Sequence, residues 1–143
     1  MVSARQLAGL GTVLVTRSGS TIYSPDQEAS GKISCTGSCL SFWFPVTVPA
    51  AGRLPAPAGA AGTLGTIHRP DNGMTQLTYN GRPLYTFRLD RSPGQAKGND
   101  FVDDFGSVSF TWRAVTAKVT AAGSGSGGAT PGSTPSSGYT PGY

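Results

Sequence analysis

The residues of this chain whose types and spacing bear on chemistry are few. Cys35 and Cys39 lie four positions apart in ISCTGSCLSFWFP. A pair at that spacing closes a local disulfide only if the backbone brings the two Cα atoms within about 7 Å. The alternatives are a redox-active dithiol or a metal-binding pair. A metal site takes three or four ligands, and the only other soft ligand in the chain is His68. The spacing is also not the Cys-x-x-Cys of thioredoxin-like centres. His68 is the single histidine, set between Ile67 and Arg69 in a strand-like run. It is expected to be a hydrogen-bonded strand residue rather than a catalyst. Asp100, Asp103 and Asp104 in GNDFVDDFG lack the EF-hand spacing and its closing glutamate, so they are expected in a solvated loop. No Gly-x-Ser-x-Gly, His-Glu-x-x-His or phosphate-binding glycine loop occurs. The expectation is a protein that is not an enzyme, with no catalytic residue, no metal and no cofactor.

Tyr85, Phe87 and Asp90 form the remaining series, in LYTFRLD. Tyr85 and Phe87 fall on one face of a strand, as core residues would, and Asp90 suits an Asx-type turn ending that strand. The functional alternative is a cleft between two halves of the chain, lined by Asp90 with Tyr79 or Tyr85, with Tyr79 and His68 as its candidate residues.

The elements that must position these residues centre on Gly73 to Asp90. Asn80-Gly81 between two strand-like runs is a strong hairpin signal, because both central residues of a type I′ turn take φ > 0. The register this turn imposes sets Tyr79 opposite Arg82, Leu77 opposite Leu84, and Gln76 opposite Tyr85. The chain also repeats itself at an offset of 62 (85 − 23), which lays Ser18-Gly19 on Asn80-Gly81, Ile22 on Leu84 and Tyr23 on Tyr85. In this first copy Pro25 stands at the place of Phe87 and Glu28 at that of Asp90. Tyr23 and Glu28 are therefore expected to be a degenerate version of the series.

Tyr85-Thr86-Phe87-Arg88-Leu89-Asp90 fits the pattern Tyr-x-(Phe/Trp/Tyr)-x-x-Asp. With GTVLVTRSGSTIY, CTGSC shortly before Trp43, TYNGRPLYTF and the closing TWRAV, the stretch from Leu10 to Val115 resembles a bacterial family of secreted or lipid-anchored repeat proteins with no assigned function. The resemblance implies export, and in an exported β-domain a structural disulfide is the most economical use of Cys35 and Cys39. So short a loop stabilises by at most the usual ~2–4 kcal/mol. Met1 to Arg5 runs almost at once into the first expected strand, with no 7–15-residue apolar stretch of a signal peptide. The natural start is therefore expected upstream, with the protein extracellular or in the cell envelope.

Composition bounds the fold. Apolar residues make up only 37% of the 143, while 21 glycines and 11 prolines suit short strands and many turns. The fold expected is all-β: two related hairpin repeats packed into one compact sheet, sandwich or open barrel, with one short helical turn near the cysteine pair, from about Cys35 to Phe42. Residues 1–9 are expected as a lead-in and 10–122 as a single domain. Within it, repeat one spans about 10–48, a loop 49–63 and repeat two about 64–118, with Leu64 to Leu89 as a three-stranded meander. Ser92 to Asp104 is expected as a long loop, Ser107 to Ala117 as the closing strand, and Trp112 there as the mirror of Trp43. From Gly123 to Tyr143 there is no charge and no aliphatic larger than alanine, the composition of a flexible tail.

The net charge of +4 comes from scattered basic residues, which argues against specific nucleic-acid binding and leaves room for attraction to an anionic envelope polymer. Membrane association is expected only at the periphery, through a lipid anchor. The function expected is non-enzymatic binding of an envelope or extracellular component. Two alternatives stand beside it: an extracytoplasmic redox, metal or haem accessory using Cys35 and Cys39, and a structural protein that self-associates.

Overall fold

The computed structural model describes residues 2–49 and 54–119. The expected tail, 123–143, lies outside the described residues. The chain forms β1 (Ser3–Leu7), β2 (Gly11–Val15), β3 (Ile22–Pro25), β4 (Trp43–Pro45), β5 (Thr47–Val48), β6 (Leu64–His68), β7 (Thr75–Tyr79), β8 (Arg82–Pro83), β9 (Tyr85–Phe87), β10 (Phe101–Phe105) and β11 (Val108–Ala114). The only helices among the described residues are two 3-10 turns, Asp26–Glu28 and Gly37–Ser41, the second where a helical turn was expected between the cysteines and Trp43. All ladders between the named strands are antiparallel. They make a pair β1-β2, a five-stranded sheet β10-β11-β3-β9-β4, and a smaller sheet β5-β7-β6 with β8 on β7.

The two copies are exchanged rather than set side by side. At the centre of the large sheet β3 of the first copy pairs with β9 of the second, so Tyr23 lies directly opposite Tyr85. The closing strand of each copy then lies on the other copy. Trp43 of β4 is opposite Phe87, and Trp112 of β11 is opposite Pro25. The smaller contacts repeat the exchange: the N–H of Leu14 donates to the carbonyl of Val115, and that of Leu77 to the carbonyl of Val46.

Side chains alternate across these strands, as the two-residue period of a strand demands. Tyr23 and Tyr85 enter one core with Trp43, Trp112, Phe87, Phe110 and the disulfide. Ile22 and Leu84 point to a second core with Leu14, Leu77 and Val115. Both faces of the central pair are thus covered, which accounts for the apolar residues on both sides of the predicted hairpin.

The structure departs from the sequence reading in four places. Residues 3–7, expected in a lead-in, form β1, which pairs with β2 along its length and buries Val2 and Leu7 at its ends. The hairpin at Asn80-Gly81 holds only at its tip. Tyr79 is opposite Arg82 and Thr78 opposite Pro83, but beyond Leu84 the chain leaves β7 and β9 joins the large sheet. Gln76 consequently faces no Tyr85 and instead donates its amide to the carbonyl of Leu84 at 2.7 Å. The repeat also carries a one-residue slip: the bridge Val15–Thr21 encloses five residues, whereas the pair Thr78–Pro83 encloses four. Leu14, not Val15, therefore holds the place of Leu77. Finally, the end of the expected loop from Ser92 to Asp104 is strand, because β10 pairs with β11 from Phe101 to Phe105.

Gly98 sits against the rings of the large core. A Cβ there would lie 2.7 Å from the Trp43 ring and 3.0 Å from that of Phe87. Gly98→Ala is expected to lower stability by about 1–3 kcal/mol through overpacking. Chemical denaturation measures it, and a change within about 0.5 kcal/mol would mean that the ring stack yields freely.

Candidate functional site

The tyrosine-aspartate series closes across the copies. The Tyr23 hydroxyl donates to Asp90 Oδ2 at 2.5 Å, and the Tyr85 hydroxyl donates to Glu28 Oε2 at 3.1 Å. Glu28 stands 62 positions before Asp90, as Tyr23 does before Tyr85, so each copy's acid receives the other copy's phenol. Glu28 was expected to be a degenerate position; it performs the same task as Asp90. Asp90 is also not an Asx turn. Its second oxygen takes the N–H of Lys97 at 2.8 Å and clamps the following loop, while the N–H of Gly98 donates to the Tyr23 oxygen at 3.2 Å. Burial, then the neighbouring carboxylate, pushes both phenols well above the ordinary tyrosine range, so neither ionises in any physiological setting.

Glu28 is fully buried. Its Oε2 also takes the N–H groups of Ser34 and Cys35, at 2.6 and 2.7 Å, while Oε1 has no partner. Burial raises its pKa, and the hydrogen bonds and Arg69 oppose that rise. Arg69, equally buried, is held by Asp71 (2.9 Å), Gln76 (2.7 Å), the Cys35 carbonyl (2.6 Å) and the Tyr85 hydroxyl (3.3 Å). Sequence reasoning missed Arg69 and Gln76. Neither residue type signals burial: Gln76 lies in β7 and Arg69 directly follows β6.

The disulfide between Cys35 and Cys39 is formed, with Cα atoms 5.4 Å apart, and both residues are fully buried. It fixes the turn whose Cys35 N–H and carbonyl bind Glu28 and Arg69. A buried sulfur pair gives an attacking thiolate no access, which removes the physical basis for a redox relay through it.

Two indoles stack in the large core, Trp43 on Trp112, with centroids 3.7 Å apart and planes 7° from parallel. Both donate to one carboxylate, Trp43 to Asp103 Oδ2 and Trp112 to Asp103 Oδ1, each at 2.9 Å. Of the acidic series, Asp103 thus joins the indoles, Asp100 pairs with Arg113 at 2.6 Å, and Asp104 is exposed.

Residues 65–116 match the model of a family described as a secreted repeat of unknown function. The match spans the second copy, including Tyr85, Phe87 and Asp90, and leaves the first copy outside. No curated protein and no solved structure matches the chain. No helix among the described residues is long and apolar enough to cross a membrane. The description names no activity, and in this chain Tyr23, Tyr85, Glu28 and Asp90 are occupied in joining the copies.

Two depressions are candidates. One, of about 220 Å³, lies between β4 and β10, with the rings of Phe42, Phe101 and Phe105 around Phe87. Of the two acids that line it, Asp103 and Asp104, the first has both oxygens engaged by the indoles. The other is a polar cleft of about 570 Å³ between β11 and the β7–β8 turn. Tyr79 lines it, without Asp90 or Tyr85, and its hydroxyl is engaged by the carbonyl of Ala61. His68 does not: it lies exposed at the far end of β6, opposite Thr75, whereas Tyr79 is opposite Leu64.

In this cleft Arg113 is aimed by two acids, Nε on Asp26 at 3.1 Å and Nη1 on Asp100 at 2.6 Å. Its Nη2 is left without a partner among the described residues. Asn80, at φ 50° in the turn, accepts the Thr63 N–H through Oδ1 at 2.9 Å, which frees its NH2 group. Arg82 beside it forms no ion pair among the described residues. Ser24 lines the same cleft; it is 4% exposed and its hydroxyl has no partner. Buried hydroxyls almost always have one, and an exception calls for a ligand or water.

Proposed function

We propose that this protein is an exported, non-enzymatic binding module, and that its ligand is an envelope or extracellular component whose acceptor oxygens enter the cleft between β11 and the β7–β8 turn. The observation that carries this is the set of donors on Asn80, Arg82 and Arg113 that the fold leaves open along the cleft, with the unpartnered Ser24 hydroxyl buried in its wall. A site built to hydrogen-bond keeps polar groups that the fold alone would be better without. The family's description as a secreted repeat supports the compartment.

Ser24→Ala separates this reading from a structural one. Removing an unsatisfied buried hydroxyl is expected to leave the protein as stable or to stabilise it by about 1 kcal/mol, while ligand affinity falls by about tenfold, the worth of one lost hydrogen bond to a charged group. Titration calorimetry against a panel of envelope polymers, run on the wild type and on this variant, reads both. Binding that Ser24→Ala leaves unchanged, or no binding across the panel, would overturn the assignment.

A further inference from the structure

The cleft does not end at the β7–β8 turn. A second hollow of about 420 Å³ adjoins it and shares Tyr79, Asn80 and Thr116 as a common wall. Lys118 stands at its far end, its carbonyl tied to the N–H of Ala61. Each hollow falls in the size range of a small-molecule site, and the two in series exceed what one small anion fills. The basic residues are strung along this path: Arg113 in the first hollow, Arg82 at the shared turn, Lys118 in the second. Among the described residues the acids at this path are Asp26 on its wall and Asp100 beside it, and both are committed to Arg113. Resting on the reading above, we infer that the ligand is a linear polyanion, a chain of hydroxylated units joined by phosphodiesters or bearing carboxylates, lying along both hollows with an anionic group at the Ser24–Arg113 end and another at Lys118.

The geometry gives each part of the path a duty. Arg113, immobilised by Asp26 and Asp100, offers its remaining N–H groups in a fixed direction, as suits an oxyanion. Asn80 and Thr116 on the shared wall supply hydrogen bonds to the hydroxyls between two anionic groups. Lys118 is an exposed point charge and needs no orientation. Contacts in series make binding of the second anion intramolecular, so affinity grows with chain length until the path is filled.

The experiment titrates glycerol 1-phosphate, poly(glycerol phosphate) oligomers of increasing length, and oligogalacturonates into the full chain and into Arg82→Gln, Lys118→Gln and Lys32→Gln. Lys32 is exposed and lies outside both hollows. Oligomer affinity is expected to exceed that of the monomer by at least tenfold and then to level off. Arg82→Gln should weaken monomer and oligomer alike. Lys118→Gln should weaken only the oligomers, by about twofold to fivefold, the range of one exposed ion pair, and Lys32→Gln should change nothing. The phosphate and carboxylate series tell the two anion sources apart. Equal affinity for monomer and long oligomer, with both sensitive to Arg82, would overturn the polymer and leave the cleft as a binding site. A loss from Lys32→Gln matching that from Lys118→Gln would reduce the effect to general charge and overturn the path. No binding by any probe would overturn the polyanion, and the broader panel with Ser24→Ala would then decide the cleft itself.

Discussion

Glu28→Ala is expected to lower the folding free energy by about 3–5 kcal/mol, the range for removing one member of a buried charged network. The substitution strands three donors at once, the N–H groups of Ser34 and Cys35 and the Tyr85 hydroxyl, and leaves the fully buried Arg69 with Asp71 as its one ion-pair partner. Against a total of about 5–15 kcal/mol for a domain, the variant should unfold at a much lower guanidinium concentration. Glu28→Gln keeps an acceptor for Tyr85 and should lose less. The two variants also differ from the wild type in pH dependence. Burial raises the Glu28 pKa above its ordinary 4.5, so folding favours the protonated form. Its contribution is therefore fully present below the unfolded value and fades as pH rises through the folded one. Asp71, lowered by its hydrogen bond from Arg69, acts in the opposite sense: its contribution is present above its unfolded value and is lost as pH falls through the lowered one. Denaturation midpoints from pH 4 to 8 should show the wild type losing ground to Glu28→Gln as pH rises. A loss under 1 kcal/mol for Glu28→Ala would show that the network contributes little.

Trp43→Ala should be as damaging, by about 3–5 kcal/mol, for a different reason. The indole is fully buried, stacked on Trp112 and, at 4.1 Å, on Phe87, with Tyr23 edge-on at 5.4 Å. Its loss opens a cavity at the meeting point of both copies and leaves half of the Asp103 carboxylate without a donor. Phe44→Ala, one residue along β4 but 44% exposed, is the control and should stay within about 0.5–1 kcal/mol. Equal effects at the two positions would show that the stack is not where the fold is held.

Local chemistry was legible in the sequence and long-range pairing was not. Asn80-Gly81 turned where it was expected to, with Asn80 at φ 50° and Gly81 at φ 83°, because the demand for positive φ is written in those two residues alone. The helical turn near the cysteines was legible for the same reason, whereas the disulfide followed from the family resemblance and the likeness of Trp112 to Trp43 from the repeat. The hairpin was extended too far because alternation cannot say which sheet a strand joins: Tyr85 and Phe87 alternate equally well against β7 or against β3 and β4. β10 was missed because FVDDF carries two aspartates, and only the paired indole donors on Trp43 and Trp112 explain why Asp103 faces inward. Glu28 seemed degenerate because its partner is Tyr85, 57 residues away, and not Tyr23 in its own copy. Ser24 gave no signal at all, since an unpartnered hydroxyl is a property of the packed strand and not of the residue type.

The diagonal bonding of Tyr23 to Asp90 and of Tyr85 to Glu28 governs how such a chain can change over time. A drift in one half's acid is felt by the opposite half's phenol, so substitutions should covary between halves rather than within either one. A polypeptide carrying a single unit would have a phenol and a carboxylate with no mate, and could regain both by meeting a second molecule of itself.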